Sequence, residues 1–136
     1  MTDLALVAKK LARIEACLRD LGRVSPASIE TDVVHERFVE HTLQLAIQAS
    51  LDVASHIVSD DRLGDASSNH RLFDLLAKNG WIAPTLVVPM HRIVGFRNVL
   101  VHEYDDVDVA IVRKVVEHHV GDLQLFVDAI RRKAVP

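Results

Sequence analysis

The sequence predicts an all-α protein, an antiparallel helical bundle of about four main helices plus a short one, and three observations lead there. Apolar residues recur at alternating spacings of three and four, the signature of a helix with one face turned to a core. The hydrophobic share is 49%, yet aromatics make up only 4%, so the apolar content is mainly aliphatic. Gly and Pro number 5 and 4, too few for the frequent tight turns of a β-rich chain. At 136 residues the chain has the size of one domain with one core, and residues 1–136 are read as a single helical domain.

The first helix carries Leu4, Val7, Leu11, Ile14, Leu18 and Leu21 on one seam, and Gly22 ends it. The turn "SPAS" follows, with Ser28 positioned to cap a long second helix that runs to about Ser59. In that helix Val34, Phe38, Leu45, Ile47, Ala54 and Ile57 spread over more than one face, which marks a central, multiply packed element. The polar string "DDRLGDASSNH" is an exposed loop, and "HRLFDLLAKNG" a short third helix stopped by Asn79 and Gly80. Pro84 and Pro89 constrain the entry to a fourth helix, about Leu86 to His102, in which Pro89 either sits in the first turn or kinks the axis. Asp105, Asp106 or Asp108 caps a fifth helix that runs to about Lys133, with Val112, Val116, His119, Leu123, Phe126 and Ile130 on its seam.

The formal net charge of −3 excludes the strongly basic character of proteins that coat nucleic acid non-specifically, though not a local cationic site. Basic residues gather in the first helix (Lys9, Lys10, Arg13, Arg19) and just beyond it (Arg23), and again at the end (Arg131, Arg132, Lys133), where they read as solvated faces. The single cysteine, Cys17, excludes an internal disulfide and reads as a small apolar core residue. The start "MTDLALVAKK" lacks the apolar stretch of a signal peptide, and "WIAPTLVVPM", broken by two prolines, is far short of the roughly 20 residues that cross a bilayer. The expected location is cytoplasmic, with no membrane association.

The chemistry concentrates in "RNVLVHEY", Arg97 to Tyr104. Met90, Val94, Arg97, Val101 and Tyr104 share one stripe of the fourth helix, so a guanidinium falls on a side that is otherwise apolar, where it needs a partner. His102 lies five residues past Arg97, roughly 140° around an ideal helix, while Asn98 stacks one turn beneath His102. Two readings stay open on spacing alone. In one, His102 transfers protons and Arg97 grips a phosphate with its forked donors, which suffices for metal-free RNA cleavage. In the other, Arg97 pairs with an acid of a neighbouring helix and His102 sits satisfied at a helix C-terminus.

A second constellation lies on the long helix, where His41, Leu45, Gln48 and Asp52 form one stripe and His56 follows a turn later. The i to i+4 pair Asp52 and His56 suits a polar layer of the bundle or support of Arg97 from behind; a metal reading is weak because no third ligand is evident. His119 belongs to a packed seam, His118 faces away from it, and Trp81 anchors the connection before the fourth helix.

The segment "GFRNVLVHEY" (Gly95 to Tyr104) resembles the Arg-x4-His-x-Tyr signature of HEPN-domain toxins of the HepT type, the partners of MntA-type minimal nucleotidyltransferase antitoxins. "LAIQASLDVASHIV" (Leu45 to Val58) is similar to that family's second helix, and helix order and length agree over essentially the whole chain. The resemblance implies a homodimeric, metal-independent endoribonuclease without cofactor. Arg97 and His102 take the catalytic positions in a cleft shared by two copies, with Asn98, Asp52 and His56 in supporting places. Tyr104 takes the position of the tyrosine to which the antitoxin adds AMP. RNA, with a transfer RNA as the candidate class, and the cognate nucleotidyltransferase are the partners so implied. The competing function is a non-catalytic helical partner or nucleotide-binding subunit of a nucleotidyltransferase.

Overall fold

The computed structural model describes residues 2–102 and 107–134, with the backbone alone at His102, and among them the secondary structure is entirely helical. Six α-helices follow one another: α1 (Leu4–Leu21), α2 (Val33–Asp60), α3 (Asn69–Lys78), α4 (Val87–His102), α5 (Val109–His118) and α6 (Val120–Ala134). Short 3₁₀ turns at Pro26–Glu30 and Pro84–Leu86 lead into α2 and α4. No helix is long and apolar enough to cross a membrane among the described residues.

The long helix is the centre of the bundle, as its multi-faced apolar pattern predicts. Val39, Leu43, Ala46, Ile47, Val53, Ala54 and Ile57 are all at most 1% exposed, and α1, α3, α4 and α6 all pack against it. Direction follows from the contacts along α1: Asp3 meets Asp60 and Lys10 meets Asp52, so partners descend α2 as residues ascend α1, and the pair is antiparallel. The last turn of α4 lies beside the first half of α2, which makes that pair antiparallel too.

Two boundaries differ from the sequence reading. Ser28 does not cap α2; Pro26 sets the backbone for a 3₁₀ turn, and the Ser28 hydroxyl donates to Ser25 O at 2.7 Å within it. Asp32 is the cap, its carboxylate accepting from the N–H groups of Val34 and His35 at 2.9 and 3.3 Å. The expected fifth helix is two helices, α5 and α6, broken at His119, where φ is −120°. Gly121 weakens the helix there, Asp122 sits in the first turn of α6 where an acid suits the helix dipole, and its carboxylate lies 3.5 Å from His119 Nδ1. The break lets the chain change partners, since α5 packs on the Pro26–Glu30 turn while α6 packs on α1. His119 is accordingly a half-exposed hinge residue and not part of a packed seam.

Pro89 falls in the first turn of α4 and leaves the helix unbroken. Cys17 and Trp81 are buried in the core as expected, at 6% and 7% exposure. Phe73 of α3 and Phe126 of α6 are fully buried and meet edge to face at 5.9 Å between ring centroids. Phe126→Ala is therefore expected to lower unfolding stability by about 3–5 kcal/mol in a urea titration, because it empties a fully buried site in the core.

Candidate functional site

Helix α4 is tied down at its start and closely packed along one side. His91 Nε2 lies 3.0 Å from the Asp74 carboxylate and 3.0 Å from the His70 carbonyl oxygen, fixing the first turn to α3. Met90, Ile93, Val94, Phe96 and Leu100 are buried, whereas Val88, Arg92 and Asn98 are exposed and Gly95 has open space where a side chain would begin. Arg97 sits at the boundary of the two sides. It is half-buried, and its Nε is buried without a hydrogen-bond partner. Among the described residues no acid pairs with it, so the reading in which Arg97 serves as one half of an ion pair with a neighbouring helix is not the arrangement seen. Leaving such a donor unsatisfied costs about 1–3 kcal/mol, and the positive charge is available to an anion from outside.

His102 is the last residue of α4. The helical backbone keeps Arg97 and His102 about 140° apart in rotation, so one chain does not stack them on one face. Tyr104, with Glu103, Asp105 and Asp106, lies outside the described residues; of the candidate caps for the following helix, Asp108 is the one observed, accepting from Ala110 N at 2.9 Å.

Asp52 and His56 belong to a different face. They line a groove of about 370 Å³ between α1 and α2, together with Lys10. The Asp52 carboxylate accepts from Gln48 Nε2 at 2.9 Å and pairs with Lys10 Nζ at 3.4 Å, while His56 Nε2 lies 3.6 Å from Asp60 Oδ2. These partners do not include Arg97.

Sequence reasoning missed Glu40. This residue lines a cavity of about 310 Å³ between the first half of α2 and the last turn of α4, with Arg37, His41, Gln44, Leu100 and Val101. Val101 is one helical turn beyond Arg97 on the same stripe of α4. Burial, and then the Glu36 carboxylate one turn earlier, push the Glu40 carboxyl up to about 7. Its Oε1 is buried without a partner. The sequence holds only a faint trace of it, two like charges at i and i+4 that repel on a helix, and does not show that Glu40 is covered.

A bundle of helices with Arg-x4-His at the end of α4 fits the HEPN class of all-α proteins. Residues 9–130 match the family described as ribonuclease HepT-like, and the chain belongs to that family. It is 32% identical over 128 residues, 93% of this chain and 96% of the relative, to the mRNA nuclease HepT of Shewanella oneidensis. It is 34% identical over 104 residues, 76% of this chain and 68% of the relative, to the tRNA nuclease HepT of Aphanizomenon flos-aquae. Among solved structures it superposes on the tri-AMPylated Shewanella oneidensis HEPN toxin in complex with its MNT antitoxin, with a TM-score of 0.86, 32% identity and coverage of 97% and 99% of the two chains. A toxin–antitoxin complex with AMP-PNP is equally similar, with a TM-score of 0.87, 30% identity and coverage of 94% and 98%.

The Glu40 environment gives a pH dependence of known sign. With a folded value of about 7 against 4.5 for the free carboxyl, the native chain holds a proton that the unfolded chain has released, so stability falls as pH rises through that window. Glu40→Gln, which keeps the neutral shape, is expected to raise the melting temperature by several degrees at pH 8 and to leave it nearly unchanged at pH 4.5. Thermal denaturation followed by circular dichroism at both pH values checks this; an equal effect at both would mean that the carboxyl is not held protonated by the fold.

Proposed function

We propose that this chain is the toxin of a HEPN and minimal-nucleotidyltransferase pair, acting as a homodimeric, metal-independent endoribonuclease. The observation that carries the reading is Arg97, half-buried on the motif helix with its charge uncompensated, five residues before a histidine at the helix end. Arg97 grips the scissile phosphate through two of its planar donors and offsets the charge that develops on the phosphoryl oxygens. His102 takes the proton of the ribose 2′-OH as that oxygen attacks phosphorus. The bond to the 5′-oxygen breaks, leaving a 2′,3′-cyclic phosphate on one product and, once that oxygen takes up a proton, a 5′-hydroxyl on the other.

Dimerisation supplies what one chain lacks. Two motif helices facing each other bring Arg97 of one copy and His102 of the other to the same phosphate, which removes the 140° separation. Val34, Phe38 and Leu45 are 69%, 41% and 39% exposed along one stripe of α2, and Gly95 leaves room for close approach on α4, features that suit contact with a second copy. Asn98, exposed one turn before His102, lies within reach of the same cleft; Asp52 and His56 keep at most a supporting place from the groove beside α1. Net charge −3 leaves no broad cationic surface, so RNA is selected by local shape, with a transfer RNA the favoured class. AMP added to Tyr104 by the cognate nucleotidyltransferase neutralises the toxin by placing a bulky anion in the RNA path. The similarity to an AMPylated toxin held by its antitoxin supports this part of the reading.

Two experiments test it. Arg97→Ala and His102→Ala chains are each expected to be inactive on RNA in EDTA, and a mixture that forms heterodimers to recover part of the activity; demonstrated heterodimers without recovery would favour sites built within one chain. Co-expression with the cognate nucleotidyltransferase is expected to add mass in units of AMP at Tyr104 and to silence cleavage, while Tyr104→Phe escapes silencing and keeps at least some cleavage. Intact RNA at high protein concentration would instead support the non-catalytic partner subunit.

A further inference from the structure

The cavity between α2 and the end of α4 has no part in the chemistry described above, yet it adjoins it. Leu100 and Val101 form one wall, immediately before His102 in the chain and one turn beyond Arg97 on the same stripe. Arg37, Glu40, His41 and Gln44 line the opposite side, successive turns of α2 that offer both donors and acceptors. At about 310 Å³ it lies at the small end of the range for small-molecule pockets, enough for one flat ring system. An apolar wall facing a set of hydrogen-bonding side chains is how single-stranded RNA bases are held and read on their Watson–Crick edges.

We propose that this cavity is a base-specificity subsite that takes a guanine next to the scissile phosphate, with Glu40 as the residue that reads it. This inference rests on the ribonuclease reading and adds the substrate feature that the reading leaves open. Guanine presents two adjacent donors, N1–H and the N2 amino group, that match the two oxygens of one carboxylate, and an O6 acceptor that Gln44 or Arg37 satisfies. No other RNA base offers that paired donor edge. Glu40 is suited to the task because its carboxyl is costly to ionise in the empty site, held up to about 7 by burial and by Glu36, and its Oε1 has no donor within the chain. A bound guanine supplies those donors, so the carboxylate becomes favourable only when the right base is present. Adenine brings an acceptor at N1 against the same oxygens and is rejected by the carboxylate, whereas the protonated acid, one donor beside one acceptor, would take it, so the guanine preference is expected above about pH 7. Glu40 is thus a specificity-determining residue, and proton transfer remains with His102.

The test uses the wild-type protein and Glu40→Gln on a random-sequence RNA pool, with every cleaved end mapped, and guanosine 5′-monophosphate as a separate binding probe. Wild-type cuts are expected to be enriched for guanine at one fixed position beside the cut by about five- to a hundredfold. Glu40→Gln is expected to lose that enrichment while still cutting RNA, because its single amide oxygen cannot accept from N1–H and the N2 amino group together. In titration, the wild-type protein is expected to prefer guanosine monophosphate over the adenosine, cytidine and uridine forms, and Glu40→Gln to show no preference. Cleavage without guanine enrichment, or enrichment that survives in Glu40→Gln, overturns the proposal. A guanosine preference in a protein that cuts no RNA would sustain the subsite and defeat the ribonuclease reading instead.

Discussion

Burial of α2 on almost all sides is the constraint from which the rest of the molecule follows. A 28-residue helix that is apolar on more than one face is stable only if other helices cover it, and α1, α3, α4 and α6 do so. Antiparallel packing of α4 against it then sets Arg37, Glu40, His41 and Gln44 opposite the last turn of the motif helix. The site has one wall from each helix because the core allows no other arrangement. The clamp of His91 on Asp74 and on the His70 carbonyl fixes the far end of α4, so the chemistry at its C-terminus rests on an anchored rod.

Two groups in this region are held at a cost to stability. The Arg97 guanidinium has a buried donor with no partner, and the Glu40 carboxyl has a buried oxygen with none. Neither neutralises the other: Glu40 responds to Glu36 and Arg37, not to Arg97. A fold that served stability alone would place apolar or mutually satisfied groups there, because a buried polar group without a partner is costly. Their separate, unsatisfied placement is what sites built to receive an anion and a donor-rich ring require.

How far the sequence reveals this depends on which force sets each feature. The seam Leu4, Val7, Leu11, Ile14, Leu18 and Leu21 is legible because burial imposes the helical period, and four of its six members are in fact buried. The cap of α2 is less so: Ser28 and Asp32 both have capping side chains, and only the 3₁₀ turn set by Pro26 decides for Asp32. The break at His119 hides within an unbroken apolar seam, because Val112, Val116 and Leu123 keep their spacing while the backbone changes partners. Arg97 and His102 stand out as polar groups where a helix should be apolar. Glu40 does not, since a glutamate on a helix is ordinary until the neighbour that buries it is known.

An acidic chain that handles RNA faces a conflict near the phosphate. Glu40 lines the cavity at the end of the motif helix, with Glu36 one turn earlier on α2, and two full negative charges there would oppose an approaching phosphate. The fold eases the conflict by the same means that creates the Glu40 environment. Burial beside Leu100 and repulsion from Glu36 keep that carboxyl mostly protonated below about pH 7, so in that range an approaching phosphate would meet one full acid and not two. In the proposed subsite, ionisation would then come with the arrival of hydrogen-bond donors from the base. Charge at the site is therefore set by occupancy, which reconciles a net charge of −3 with a local site for a polyanion.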